Sequence, residues 1–276
     1  MNLFDRRIRV MIFDTHAHYD DEAFNTDRDE LLRSMEAHGI GRIVNIGANM
    51  ETSARTVALT EQYPFLYGAV GVHPNEVGDM TEQDLVRLAQ WTEHEKVVAI
   101  GEIGLDYHYD EPSREVQKRW FEAQMELARE QKLPVVIHSR EAARDTADLM
   151  KAVRAEEVGG VVHCYSYTKE LAREFLDMDY YFGIGGVLTF TNAKKLREAV
   201  AYIPMEKLVL ETDCPYLAPV PNRGKRNSSL NLPYVVQALA ELKGLTTEEV
   251  EAVTWENARK LYRYKCDEGA KNGETK

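Results

Sequence analysis

Short apolar runs recur along the chain, and each stops at a polar residue or a glycine. They are 10–13, 42–46, 66–70, 97–100, 135–137, 160–162, 180–184 and 208–210. Runs of this length bounded by turn residues read as buried strands. Segments with helical spacing lie between them. In SREVQKRWFEAQMELAREQK, Val116, Trp120, Ala123 and Leu127 fall at i, i+4, i+7 and i+11, and Pro134 follows soon after. Residues 27–38, 82–94, 141–154, 168–178 and 192–202 read similarly, and Thr246-Thr247-Glu248-Glu249 offers a capping box before Val250, Val253 and Leu261. Strand and helix alternating eight times predict an α/β protein, a single-domain (β/α)8 TIM barrel over residues 11–264. Residues 1–10 read as an N-terminal extension and 265–276 as a flexible C-terminal tail.

A closed barrel of this kind gathers its chemistry at the C-terminal ends of the strands. The residues that end the apolar runs are His16 and His18 after the first, His73 after the third and Glu102 after the fourth. His138 follows the fifth, His163 the sixth and Asp213 the eighth. Of the eight histidines, five sit at a strand end, and only His38, His94 and His108 do not. A single histidine there reads as a core or loop residue. A converging set of imidazoles and carboxylates is instead what a two-metal hydrolytic centre requires. His16 and His18, separated by one residue in an extended segment, are expected to face the same way.

Composition narrows the options. With 44% hydrophobic residues and no low-complexity tract, the chain is expected to fold outside its ends. No apolar run approaches the roughly 20 residues that span a bilayer, and the N-terminus lacks a signal-peptide apolar region, so no membrane partner and a cytoplasmic location are expected. Cys164, Cys214 and Cys266 form no CxxC pair, which argues against a disulfide framework or a thiolate zinc site. In an extended backbone a neighbour of an inward-facing ligand points outward, so Cys164 and Cys214 read as small buried apolar residues. No Gly-rich phosphate loop follows any strand, and a nucleotide cofactor is not expected. The 46 acidic against 34 basic residues give a net charge of -12, which repels polyanions. A nucleic-acid substrate therefore demands metal ions and a local basic patch.

The segments DTHAHYD, GVHPNE, GEIGLDYHYD, LPVVIHSREA, HCYSY and ETDCPYLAPVPNRGKRN resemble, in order and spacing, the signatures of the TatD family of metal-dependent deoxyribonucleases, within the amidohydrolase superfamily. The resemblance runs from about residue 11 to about residue 263. It implies that His16, His18 and Asp213 bind one divalent ion, that His138 and His163 bind a second, and that Glu102 bridges the two. Glu102 stands where related amidohydrolases often carry a carboxylated lysine. In the mechanism this implies, two such ions would lower the pKa of a shared water, Asp213 would take its proton as general base, and the hydroxide would attack phosphorus. Mixed His and carboxylate ligands suit zinc, manganese or iron, and magnesium less well.

The implied activity is a DNase with single-stranded DNA or 3′ ends as substrate, 3′–5′ exonuclease action being favoured. His73 either contacts a phosphate or the leaving oxygen, or is structural. Asp106 and Tyr107 either orient a ligand or shape a loop, and Arg140 either contacts phosphate or makes a surface pair. Arg223, Lys225 and Arg226 in PVPNRGKRN are the candidate basic patch, Arg223 foremost. Tyr167 and Ser228-Ser229 depart from the family's usual residues, and Tyr167 is expected to narrow the mouth. An amidohydrolase acting on an ester or amide, such as a misacylated tRNA, is the alternative enzyme. A metal or nucleic-acid binding module is the alternative of another class.

Overall fold

A computed structural model describes residues 11–263. The expected N-terminal extension and C-terminal tail, Val10 and Cys266 lie outside the described residues. Eight strands, β1 (Ile12–Ala17), β2 (Ile40–Ile46), β3 (Leu66–Val70), β4 (Val97–Asp106), β5 (Val135–Arg140), β6 (Gly160–Val162), β7 (Tyr181–Ile184) and β8 (Leu208–Leu210), pair in parallel in chain order. Each apolar run of the sequence is a strand. β4 is longer than expected because Ile103 and Leu105 continue its buried pattern past Gly101. Its ladder with β5 breaks between Ile100 and Ile103, and there the Glu102 amide turns to donate to the Gly47 carbonyl at 2.9 Å. Gly104, at φ +145°, lies so close to the His138 carbonyl that a Cβ would come within 1.9 Å of that oxygen. Only glycine lets β4 and β5 approach this closely.

The helices are α1 (Arg28–Ser34), α2 (Met50–Gln62), α3 (Glu82–Trp91), α4 (Arg114–Gln131), α5 (Ala143–Ala152), α6 (Lys169–Asp177), α7 (Lys194–Tyr202), α8 (Leu232–Lys243) and α9 (Thr247–Leu261). α2 and α8 are absent from the sequence reading. α2 buries Ser53, Thr56, Leu59 and Thr60, a mostly polar face that leaves no apolar stripe. α8 buries Leu232, Val235, Val236, Leu239 and Ala240 at regular helical spacing, with Pro233 in its first turn, where proline costs no hydrogen bond. The capping box on α9 is present, with the Glu249 amide donating to Thr246 Oγ1 at 3.1 Å.

Apolar side chains fill two clusters. The larger one includes many residues from the helices that surround the sheet. The smaller joins Phe13, Val44, Ile46, Ala69, Val98, Val136, Val161 and Val209 to Ala258, Leu261 and Tyr262 of the C-terminal helical segment. Tyr262 also donates its hydroxyl to the Thr15 carbonyl at 2.7 Å. The seam between β8 and β1 is closed differently from the other seven. It has one isolated bridge, Ala17 with Cys214, and backbone hydrogen bonds from Asp213 and Thr212 to the His16 carbonyl, and side chains stitch it further. Thr15 Oγ1 donates to the Leu210 carbonyl at 2.9 Å, and Asp14 accepts from Thr212 Oγ1 at 2.7 Å and Ser229 Oγ at 2.6 Å.

Candidate metal centre

The strand ends open into a cavity of about 1090 Å³, walled in part by His18, His73, Glu102, Asp106, His138, His163 and Asp213. His16 lies at its floor, 1% exposed. The six residues expected as ligands therefore converge from β1, β4, β5 and the segments following β6 and β8, although Asp213 and Glu102 are 111 positions apart. The expected shared face of His16 and His18 is present, with their Nε2 atoms 3.1 Å apart.

The donors fall into two sets that meet at Glu102. On one side His16 Nε2 and His18 Nε2 lie 3.6 and 3.3 Å from Asp213 Oδ1, and His16 Nε2 lies 3.5 Å from Glu102 Oε2. On the other, Glu102 Oε1 lies 2.7 Å from His138 Nδ1 and 2.8 Å from His163 Nε2. One carboxylate thus offers an oxygen to each set. The rings of His16 and His163 stack at 3.9 Å, which keeps the two sets adjacent.

The tautomers show that this donor set suits cations. His18 Nδ1 faces the Ile46 carbonyl at 2.9 Å, which can only accept, so its Nε2 presents a lone pair to the site. His138 Nε2 donates to Asp106 Oδ2 at 3.1 Å, which leaves the Nδ1 lone pair against a Glu102 oxygen. Two acceptors at that separation need a cation or a proton between them. Without a metal ion, protons take that place. Burial opposes protonation of His18, but Asp213 and Glu102 outweigh it and raise the ring to about 9. Burial likewise opposes charge on His163, and Glu102 and Glu211 raise it well above its ordinary value. Imidazoles with carboxylates, and no Lys or Arg among them, form a donor set that could hold a divalent metal ion.

His73 differs. Its Nδ1 accepts the Asn75 amide at 3.1 Å, so the proton sits on Nε2, which points at Glu102 Oε1 from 3.8 Å. Burial, aided by His138, pushes it down to about 3, so it stays neutral. It is a hydrogen-bond donor aimed into the site.

Two further carboxylates complete the surroundings, of which the sequence reading did not single out Glu211. Glu211 is 1% exposed, lies 3.7 Å from His163 Nδ1 and accepts the Cys164 amide at 2.5 Å. Gly183 makes room for it, since a Cβ there would meet Glu211 Oε2 at 1.9 Å. Asp14 is fully buried on β1, where burial raises it to about 7 against the hydrogen bonds of Ser229 and Thr212. Tyr19 joins the same network, its hydroxyl 2.9 Å from Ser229 Oγ. The departure at Ser229 therefore anchors the loop after β8 to β1.

The expected substrate contacts separate. Arg140 lines the cavity and is exposed. Asp106 lines it too, but its carboxylate is taken up by His138 and by Asn75 Nδ2 at 3.2 Å, so it fixes the orientation of the His138 ring. Tyr107 is outside the cavity lining: its hydroxyl donates to Asp145 at 2.7 Å and Arg114 covers its ring at 4.2 Å. Arg223 also lies outside the lining and stacks on Phe190 at 4.3 Å. Arg226 is held by Asp27 through two hydrogen bonds, one of 2.7 Å. The ion pair links residues 199 apart, which no local pattern reveals. Cys214 is buried as expected, whereas Cys164 lines the cavity. The extended backbone assumed for it fails, since Cys164 sits at φ +45° and Asp213 at φ +55°. Burial pushes the Cys164 thiol up to about 12, so it is no nucleophile at neutral pH. Tyr167 stands in the cavity wall with its hydroxyl 3.1 Å from Ser139 Oγ.

Among the described residues no helix is long and apolar enough to cross a membrane. The family model for TatD related DNase matches residues 13–263. A Bacillus subtilis (strain 168) relative, described as the uncharacterized metal-dependent hydrolase YabD, is 46% identical over 253 residues, covering 92% of this chain and 99% of its own. The crystal structure of the TatD homolog YjjV from Escherichia coli K12 superposes with a TM-score of 0.87 at 33% identity, covering 92% and 98% of the two chains. A TatD family hydrolase from Entamoeba histolytica shares the fold, with a TM-score of 0.82 at 24% identity over 91% and 98%. On the strength of a match that spans the whole barrel and every strand end that builds the centre, the chain belongs to the TatD-related DNase family.

Proposed function

We propose that this metal-dependent hydrolase cleaves phosphodiester bonds in DNA, acting on single-stranded DNA or 3′ ends as a 3′–5′ exonuclease, with Asp213 as general base. The observation that carries the reading is Glu102, one oxygen turned to each donor set. Two divalent ions, His16, His18, Asp213 and Glu102 holding one and Glu102, His138 and His163 the other, supply activation of water and neutralisation of phosphoryl charge. Asp213 keeps 18% of its side chain exposed to the cavity against 5% for Glu102, which suits it to accept the proton of the attacking water. His73 donates its Nε2 proton to a phosphoryl oxygen. Arg140 at the rim receives a neighbouring phosphate.

A second reading rests on the wall itself. Asp21, Glu22, Glu76 and Glu141 line the cavity against Arg55 and Arg140 only, which suits a substrate bearing an amine, such as an aminoacyl ester. Side-by-side assays of single-stranded DNA and an aminoacyl ester, with the Glu102→Ala protein as contamination control, separate the two. Hydrolysis of the ester alone overturns the phosphodiester reading.

A further inference from the structure

Seven large hydrophobic side chains are exposed among the described residues, and three of them, Tyr109, Tyr216 and Leu217, line the cavity over the metal centre. Tyr109 and Tyr216 are each 55% exposed, so each ring keeps surface open to a ligand in the cavity it lines. The two rings are carried by opposite sides of the barrel. Tyr109 follows β4 and Tyr216 follows β8, and in an eight-strand ring of order β1 to β8 these strands face each other across the mouth.

Each tyrosine is tied to the chemistry by a short segment. Tyr216 is three residues past Asp213, and its amide donates to the Asp213 carbonyl at 2.9 Å. Its hydroxyl, 3.1 Å from Asp21 Oδ2, fixes the ring against the segment that follows β1. Tyr109 is three residues past Asp106, whose carboxylate holds the His108 amide at 2.9 Å and His138 at 3.1 Å. The His108 ring meets Tyr109 edge-on at 4.9 Å and is itself fixed by Glu141 at 2.7 Å. Arg140 lies 5.9 Å from the Tyr109 ring, placing a guanidinium beside that aromatic face. Two preset aromatic faces, with a reaction centre between them and a cation beside one, form the pattern that receives unpaired bases along a strand.

We propose that Tyr109 and Tyr216 are stacking platforms for the nucleobases on the two sides of the scissile phosphate, and that they make this centre specific for unpaired DNA. The inference rests on the phosphodiester reading and specifies its substrate. Bases in a duplex have their faces stacked on neighbours, so only an unpaired segment can offer one to each ring. Sequence preference is expected to be weak, because every base has a π-face.

The test is a cycle of protein and substrate variants with the metal-loaded enzyme. Short single-stranded oligonucleotides are compared with the same oligonucleotides bearing an abasic site on one side or the other of the cleaved bond. Wild type is expected to favour the base-bearing substrate in kcat/KM by roughly tenfold or more at each flank, the value of one base on one ring. In Tyr109→Ala and in Tyr216→Ala that preference should vanish, each at a different flank, while Tyr109→Phe and Tyr216→Phe keep it. A misfolded variant loses both substrates in parallel, so metal content and thermal melting are measured beside the ratio, and Phe rescue separates stacking from folding. Equal cleavage of base-bearing and abasic substrates by wild type, or a preference unchanged in both alanine variants, overturns the platforms and leaves the phosphodiester reading standing. Failure of wild type to cleave any of the oligonucleotides overturns that reading instead.

Discussion

The two donor sets share Glu102 but are supported by different means. His16, His18 and Asp213 straddle the β8–β1 seam, where the Asp213 amide donates to the His16 carbonyl at 2.9 Å and the His18 amide to the Cys214 carbonyl at 2.8 Å. Behind His18 stands a backbone carbonyl, that of Ile46. His138 and His163 instead each have a carboxylate behind them, Asp106 and Glu211. Carboxylates raise the basicity of an imidazole ligand more than a carbonyl does, and side chains can be removed where backbone cannot. The first set is therefore built into the barrel's closure, and the second is tuned by side chains.

Several changes probe that contrast, in order of decreasing effect. Glu102→Ala removes the one residue common to both sets, and both metal occupancy and hydrolysis should collapse below the level of any other single variant. Asp213→Asn keeps the size of the base but removes its charge, and kcat should fall by roughly 10² to 10⁴-fold. A metal-replete Asp213→Asn protein that cleaves at the native rate takes Asp213 out of the role. Asp106→Asn and Glu211→Gln should weaken one ion by roughly 10 to 100-fold and leave the other at its native affinity, read as two separated steps in a metal titration. Equal weakening of both ions by either variant would erase the contrast between the sets.

The smallest effect belongs to the seam. Ser229→Ala strips one hydrogen bond from buried Asp14 and from Tyr19, and unfolding should become easier by about 1–3 kcal/mol, the cost of an unsatisfied buried polar group. Thermal melting checks it, and the loss should be accompanied by weaker binding in the first set only.

The strands and the convergence of the imidazole and carboxylate donors were legible because both obey short-range rules: an apolar run makes the strand, and the polar residue that ends it stands at the barrel mouth. What escaped was whatever depends on distant partners or lacks a pattern. α2 hides its buried face in Ser53, Thr56 and Thr60. Glu211 carries no signal of its own in the sequence, and its place beside His163 depends on the room that Gly183 of the neighbouring strand leaves for it. The partners of the basic segment after β8 are distant in sequence, with Asp27 pairing Arg226 and Phe190 stacking under Arg223. Tyr109 and Tyr216 are exposed loop residues with no periodicity, and only the order of the strands shows that the strands before them stand on opposite sides of the mouth.

Counting divalent ions per chain by elemental mass spectrometry after metal loading and removal of free metal tests the central claim most directly. Two ions in the native protein, with Glu102→Ala retaining fewer, is the result that a shared carboxylate between two donor sets predicts. Fewer than one ion per native chain would contradict it.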